Sequence, residues 1–402
     1  MSTTGSISRR TIIAALAGMG GTTLLSPRSA VATADPQDPR VSRIISENIT
    51  IDMHNHIGQP IFSGHDNRPS ESRANADDID LVGEMRRAGL TAACLTSFVD
   101  LYLTPQADDW YRYHLEIFDY IDRVIEMNKI RRALTSADLR AAHVSKFPTI
   151  VQSSEGVQWI GGDLRRVAEA YRRGLRHLQL FHQRHDTHQP LGGIQQLLPS
   201  GAMQPTPSAE PTGITPFGLE VVGECNKLGI LVDLAHASEQ SVLDVVKTSH
   251  HPLLCSHTAL DTPNARSADL YTANPGLRSR LVSTAYARAV AETGGIMGVW
   301  RIFPTLKAYV LGIKEMVDVV GIDHTGIGTD TVIAPPPSNS AISARQPRTN
   351  AIWPDQRAGF VYALIEEMLV QGFTEADIGK IVGGNYVRVF GEITKNGVVS
   401  AV

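Results

Sequence analysis

Eight times along this 402-residue chain a short run rich in Ile, Val and Leu gives way to helical or loop sequence, and several of those runs close on a histidine. Apolar runs of about four to eight residues read as strands buried on both faces, and their alternation with helices points to a parallel sheet. The runs fall at 49–53, 91–98, 148–153, 177–181, 230–235, 252–256, 295–300 and 325–329. Helical periodicity separates them at 164–173, 217–228, 239–248, 285–293 and 306–320. The first of these puts Leu164, Val167, Ala168 and Tyr171 on one face and arginines on the other. Eight strands, each followed by helix or loop, predict an α/β fold of the (β/α)8 TIM-barrel type over residues 33–402 rather than two unrelated domains. With 42% apolar residues the chain can fill such a core. Long Pro-, Gly-, Ser- and Asn-rich stretches at 58–77, 185–211 and 333–353 are expected to decorate the catalytic face.

The first 32 residues read as an address. Ser8-Arg9-Arg10-Thr11 opens a short apolar run, 14–25, and Ser29-Ala30-Val31-Ala32 supplies an A-x-A cleavage site. Paired arginines before a mild, Gly-rich apolar stretch resemble a twin-arginine export signal, so the mature protein is expected in the periplasm or outside the cell. Removing residues 1–32 deletes three arginines and no acid, taking the net charge from −4 to −7. That balance, without a basic stripe, argues against nucleic acid as a partner. No later segment reads as a membrane span. Three cysteines without a CxxC exclude a disulfide scaffold and a thiolate zinc site.

Chemistry gathers where the strands end. Ile51-Asp52-Met53-His54-Asn55-His56 places two histidines two apart on an extended chain, so His54 and His56 present their imidazoles to one point. A single strand-end histidine is usually just packed; a pair in this register points to metal. The third strand leads to Glu155-Gly156, where the carboxylate could simply cap a turn. The next three end on His182, His236 and His257, and the eighth on Asp330. Four or five imidazoles and two carboxylates on one barrel rim suit zinc (Zn2+), with iron, manganese or cobalt as alternatives, one or two ions per chain. Such ions can activate water against an amide. His65, His114, His143, His177, His185, His188, His250 and His251 show no ligand spacing, and Cys255 reads as a small buried hydrophobe.

These segments resemble the renal (membrane) dipeptidase family of zinc metallopeptidases. The stretch from Gly213-Ile214-Thr215-Pro216-Phe217-Gly218 to Val232-Asp233-Leu234-Ala235-His236 carries the strongest likeness. Pro252-Leu253-Leu254-Cys255-Ser256-His257, Arg280 fourteen residues before Gly294, Gly326-Ile327-Gly328-Thr329-Asp330 and Gly383-Gly384-Asn385-Tyr386-Val387-Arg388-Val389-Phe390 follow in family order. The resemblance implies a two-zinc barrel with His54 at the first metal, Glu155 bridging, and His236 and His257 at the second. It implies His182 holding the reacting carbonyl, Arg280 meeting a substrate carboxylate, and Asp330 as acid/base catalyst. A small dipeptide-like substrate follows, and a homodimer is compatible.

Three segments depart from the family pattern. His56 stands where the family has an aspartate ligand, which raises the charge of the site by one unit and should weaken its hold on a second cation. Asp330-Thr331-Val332-Ile333 replaces D-F-D-G, and Trp300-Arg301-Ile302-Phe303 follows the seventh strand in place of the usual substrate-side segment. Two other readings therefore stand beside a dipeptidase: a metal-dependent hydrolase of another small amide, lactam or ester, and a non-catalytic metal- or peptide-binding relative. Asp330 separates the last from the others, since a binder has little use for a proton shuttle.

Overall fold

Buried apolar runs become the strands β1 Ile51–Ile57, β2 Ala92–Phe98, β3 Thr149–Glu155, β4 Leu175–Gln179, β5 Leu231–Asp233, β6 Leu254–Thr258, β7 Ile296–Val299, β8 Thr325–Ile327 and β9 Thr331–Ala334. The computed structural model describes residues 38–58, 76–99, 107–182, 213–261, 280–334 and 347–396. Residues 1–32, read above as an expected export signal, most of the three long inserts, and His65, His185 and His188 lie outside them. All strands pair in parallel in the order β8-β7-β6-β5-β4-β3-β2-β1-β9. The ninth strand is the second half of the eighth. Residues 325–327 pair with β7, and after a three-residue break residues 331–334 pair with β1. One passage of chain thus touches both edges of the sheet and makes it a (β/α)8 barrel.

Helices coat the outside, and their starts are written in the sequence. Thr215, Ser238, Ser283 and Thr305 each accept a hydrogen bond from a first-turn backbone N–H, opening the helices Pro216–Leu228, Glu239–Thr248, Thr284–Glu292 and Leu306–Val320. In the helix Arg165–Arg172 the buried face is Val167 and Ala170, not Ala168 as expected, while Leu164 and Tyr171 pack at its margin. Three strands are displaced from their sequence reading, among them the sixth, which begins and ends two residues later. The first runs on to residue 57 and carries both histidines within it, and the fourth begins and ends two residues earlier.

The barrel interior is closed at the N-terminal ends of the strands by the C-terminal helix Asn385–Asn396. Tyr386, Val389, Phe390 and Ile393 enter the inner core beside Ile51, Met53, Cys94, Val151, Leu231, Leu254 and Ile296. Asn385 donates to the carbonyls of Ile322 and Thr325, and Arg388 donates to those of Gly294 and Asp323. The Gly383-to-Phe390 motif is therefore a plug, remote from the chemistry. Truncating Phe390→Ala should destabilise the fold by about 3–5 kcal/mol. Urea melts of metal-free protein read that loss, while the folded variant should keep its metal stoichiometry.

Candidate metal centre

The pleat alone would not bring His54 to the barrel mouth. Ile51 and Met53 face the inner core, so strict alternation would turn His54 outward. The register of β1 against β2 slips between Asp52 and Asn55, a bulge that changes the face presented. A second slip lies between Cys255 and Thr258 on β6, where His257 sits. Above these irregularities His54, His56 and His257 converge, with His54 and His257 ring centres 4.0 Å apart. Glu155 ends β3, His182 follows β4, and His236 follows β5 in a left-handed backbone conformation at φ 68°. Asp330 occupies the break in the eighth strand, also left-handed at φ 53°. Two of the four non-glycine residues with positive φ among the described residues are thus at this rim, a placement typical of strain held for function. Gly328 leaves the space that the rim needs, since a Cβ there would lie 1.9 Å from the Ser256 carbonyl oxygen.

Glu155 is the centre of the arrangement. Its Oε2 lies 3.5 Å from His54 Nε2 and 3.8 Å from His56 Nε2. Its Oε1 lies 3.2 Å from His182 Nε2, 3.4 Å from His236 Nε2 and 3.9 Å from His257 Nε2. One carboxylate therefore divides five imidazoles into two groups. Ligand atoms of His54, His56 and Glu155 meet within one such group, and those of Glu155, His182 and His236 within the other. His257 adjoins the second, its Nε2 2.9 Å from that of His236.

The Nδ1 contacts orient these rings. His56 Nδ1 lies 3.0 Å from the Thr96 carbonyl, which can only accept, so Nδ1 carries a proton and Nε2 is the atom turned toward Glu155 and Asp330. Ser256 Oγ lies 3.2 Å from His54 Nδ1 and 3.0 Å from His257 Nδ1, one hydroxyl set between two candidate ligands. His54 Nε2 is buried with no hydrogen-bond partner of ordinary geometry. An orphaned buried nitrogen, two imidazole nitrogens facing each other, and a donor set of nitrogen and oxygen without thiolate fit a divalent metal centre.

Charge follows the same geometry. Burial by itself would lower the His54 pKa, but Glu155, with Asp330 and Asp233 behind it, outweighs burial and raises it to about 9. Burial, reinforced by His54, brings His257 down to about 3, and burial with Arg280 and His257 nearby holds His236 well below its usual range. Burial pushes the Asp330 carboxyl upward, yet its hydrogen bond to His56 and the charges of His257, His56 and His54 prevail and keep it ionised. His56 Nε2 is 3.2 Å from Asp330 Oδ1, so His56 turns into the site.

Arg280 lies beside this group, its Nη2 3.4 Å from His236 Nε2 and its guanidinium 4.3 Å from the Trp300 ring centre. No carboxylate among the described residues pairs with it, and its Nε has no partner. The other histidines fall away from the centre. His177 pairs with Asp233 at 3.0 Å inside the barrel, and His114 stacks on Trp159. All three cysteines are buried free thiols.

Sequence reasoning assigned no role to Ser256, although it stands in the motif before His257. It also missed Gln179, whose Nε2 donates to Glu155 Oε1 at 3.3 Å. A polar side chain two residues beyond His177 on the same strand face was the available signal. The resemblance assigned His257 rather than His182 to the second metal; here His182 Nε2 is the nearer of the two to Glu155.

Residues 39–338, which include every one of these site residues, match the sequence profile of the membrane dipeptidases, peptidase family M19. The chain belongs to that family. Several solved structures share the fold. An amidohydrolase from Pseudomonas aeruginosa is 19% identical with a TM-score of 0.66, covering 88% of this chain and 99% of that one. The probable dipeptidase PvdM from Pseudomonas aeruginosa is 18% identical at a TM-score of 0.66, covering 89% and 98%. A metallo peptidase from Rhodobacter sphaeroides, liganded with a phosphinate mimic of the dipeptide L-Ala-D-Ala, is 16% identical at 0.61, covering 87% and 99%. At these identities the likeness is one of fold.

For a membrane dipeptidase centre of this form, Ser256→Ala should weaken metal binding by about 10–100-fold, because both flanking imidazoles lose the partner that orients them. Competition against a chelator measures this, and an unchanged affinity would show that the hydroxyl has no part in ligand orientation.

Proposed function

We propose that this protein is an exported metallo-dipeptidase that hydrolyses the amide bond of small dipeptides with a free C-terminal carboxylate, with zinc as its metal. One observation carries the reading. The two oxygens of Glu155 face two separate imidazole groups, and a part-buried guanidinium without a carboxylate partner among the described residues stands next to them. The twin-arginine segment near the N-terminus supports export, and among the described residues no helix is long and apolar enough to cross a membrane.

His54, His56 and Glu155 would hold one ion, and Glu155, His236 and His257 the other. When bound, such ions acidify water and polarise a carbonyl. The chain's own residues do the rest. Arg280 takes the C-terminal carboxylate with a two-pronged hydrogen bond, and Trp300 beneath it restricts its rotation. His182 hydrogen-bonds the oxygen of the reacting carbonyl as charge builds on it. Asp330, kept ionised by His56, accepts a proton from the attacking water. As the C–O bond forms and the C–N bond breaks, it delivers that proton to the leaving amine nitrogen.

Metal analysis followed by a dipeptide library tests the whole reading. The library should include D-residues at the C-terminal position, because the Rhodobacter sphaeroides neighbour holds a mimic of L-Ala-D-Ala. Protein with less than about a tenth of an ion per chain, on the scale of a strong site, would falsify it.

Changing Arg280→Lys keeps the charge and loses the fork. The kcat/KM for free-acid dipeptides should drop by about tenfold or more, with a much smaller loss on C-terminally amidated analogues. An equal loss on both would make the arginine structural.

His56 predicts unequal metal positions. A neutral imidazole in place of a carboxylate leaves more uncompensated positive charge between two divalent ions. Dialysis should leave one ion bound and remove the second, and His56→Asp should retain both. Activity that saturates at one added equivalent, with His56→Ala unchanged, would reject His56 as a ligand.

A further inference from the structure

Arg301 is the second guanidinium at the mouth of the barrel, and neither the metal centre nor the carboxylate contact at Arg280 uses it. It follows Trp300 just beyond β7, half-buried, and its Nε donates to the Asp330 backbone carbonyl at 3.3 Å. The remaining N–H groups of its fork have no hydrogen-bond or ion-pair partner among the described residues. Burial lowers its pKa, with the Asp330 charge acting in the opposite sense. Burial lowers the Arg280 pKa as well; the charges of Asp330 and Glu155 offset part of this, and the charge of Arg301 adds to it. Neither carboxylate forms an ion pair with either guanidinium. Glu155 is surrounded by imidazoles, and Asp330 Oδ1 is taken by His56. Desolvating two like charges without partners is unfavourable unless an anion completes each one.

We infer that the substrate carries two carboxylates: a dipeptide with an acidic side chain, whose C-terminal carboxylate meets Arg280 and whose side-chain carboxylate meets Arg301. This deepens the dipeptidase reading and rests on it. Arg301 is then a specificity residue of the same site. A planar fork with free N–H groups matches a carboxylate in a way that a neutral amide of the same shape does not. The chemistry also explains why the terminal N–H groups of an arginine directly beside Trp300 take no partner among the described residues. A purely structural arginine at this depth would be expected to use its fork on carbonyls or acids of the chain, as Arg388 does on Gly294 and Asp323.

The test compares isosteric pairs, Ala-Glu with Ala-Gln and Glu-Ala with Gln-Ala, on the metal-loaded enzyme, each with L- and D-residues. In at least one pair kcat/KM should favour the acid by about tenfold or more, because a site built to pair a charge rejects the analogue lacking it. In Arg301→Gln that ratio should collapse toward one, and Arg301→Lys should restore part of it. A ratio near one in the unaltered enzyme overturns the proposal. So does a variant that slows acid and amide substrates equally, since that would mark Arg301 as a positioning residue for Asp330. If no dipeptide is hydrolysed at all, the dipeptidase reading fails on its own. Calorimetric binding of Ala-Glu against Ala-Gln and of Glu-Ala against Gln-Ala then judges the anion pair separately: the acid tighter by about tenfold supports it, and equal affinity in both pairs overturns it.

Discussion

The seam where the eighth strand meets the first holds this molecule closed, and its polar knot places the reactive groups. Asp52 accepts hydrogen bonds from the backbone N–H and hydroxyl of Thr329 at 2.9 and 2.6 Å, and from Asn55 Nδ2 at 2.6 Å. Asn55 in turn accepts from the Ile333 backbone N–H, and its amide reaches Thr331 and Thr349. Asp330 N–H donates to the His54 carbonyl. Apart from Asp330 these residues are all buried, so each hydrogen bond replaces one that water would otherwise supply. The knot ties the break in that strand, and the half that follows it, to β1 and fixes the left-handed turn at Asp330. Because it is rigid, a carboxylate can stand in that conformation within reach of His56.

The metal centre is a problem of buried charge resolved by count. A lone Glu155 in the barrel would be neutral, since burial alone drives its carboxyl upward. Surrounded by His182, His54 and His236, it is instead held well below the ordinary carboxylate range. Five imidazoles around one carboxylate leave more lone pairs than protons can comfortably occupy, and that surplus makes the cluster suited to a cation. The surrounding shell sharpens this. Thr96 and Ser256 settle which nitrogen of His56, His54 and His257 points inward, and Gln179 steadies the Glu155 carboxylate.

Most of the rim was legible before the fold was known, because strand ends in a parallel barrel share one face and strand ends are marked by where an apolar run stops. His54, Glu155, His236, His257 and Asp330 all stand at such places. The bulges were not legible. Nothing in Asp52-Met53-His54-Asn55 announces that two residues there oppose one on the neighbouring strand, and without the slip Met53 and His54 would face opposite ways. The division of the eighth strand was hidden for the same reason, because Thr329 and Asp330 read as the end of one strand rather than as a hinge between two pairings. Ser256 and Gln179 were visible as letters but not as partners, since hydrogen bonds between residues far apart in sequence leave no local trace.

Local chemistry thus determined the class of molecule: alternating buried strands and capped helices specify a (β/α)8 barrel, and histidines and acids at the strand ends specify a cation site, because both follow from short-range periodicity and ligand type. Tertiary structure alone decided which atoms meet. The division of five imidazoles between the two oxygens of Glu155, the inward turn of His56 toward Asp330, and the approach of Arg280 to His236 and of Arg301 to Asp330 all depend on distances set by barrel closure. Those distances come from bulges, close approaches at glycine and a buried polar seam, and each of these is a relation between strands that no single stretch of sequence contains.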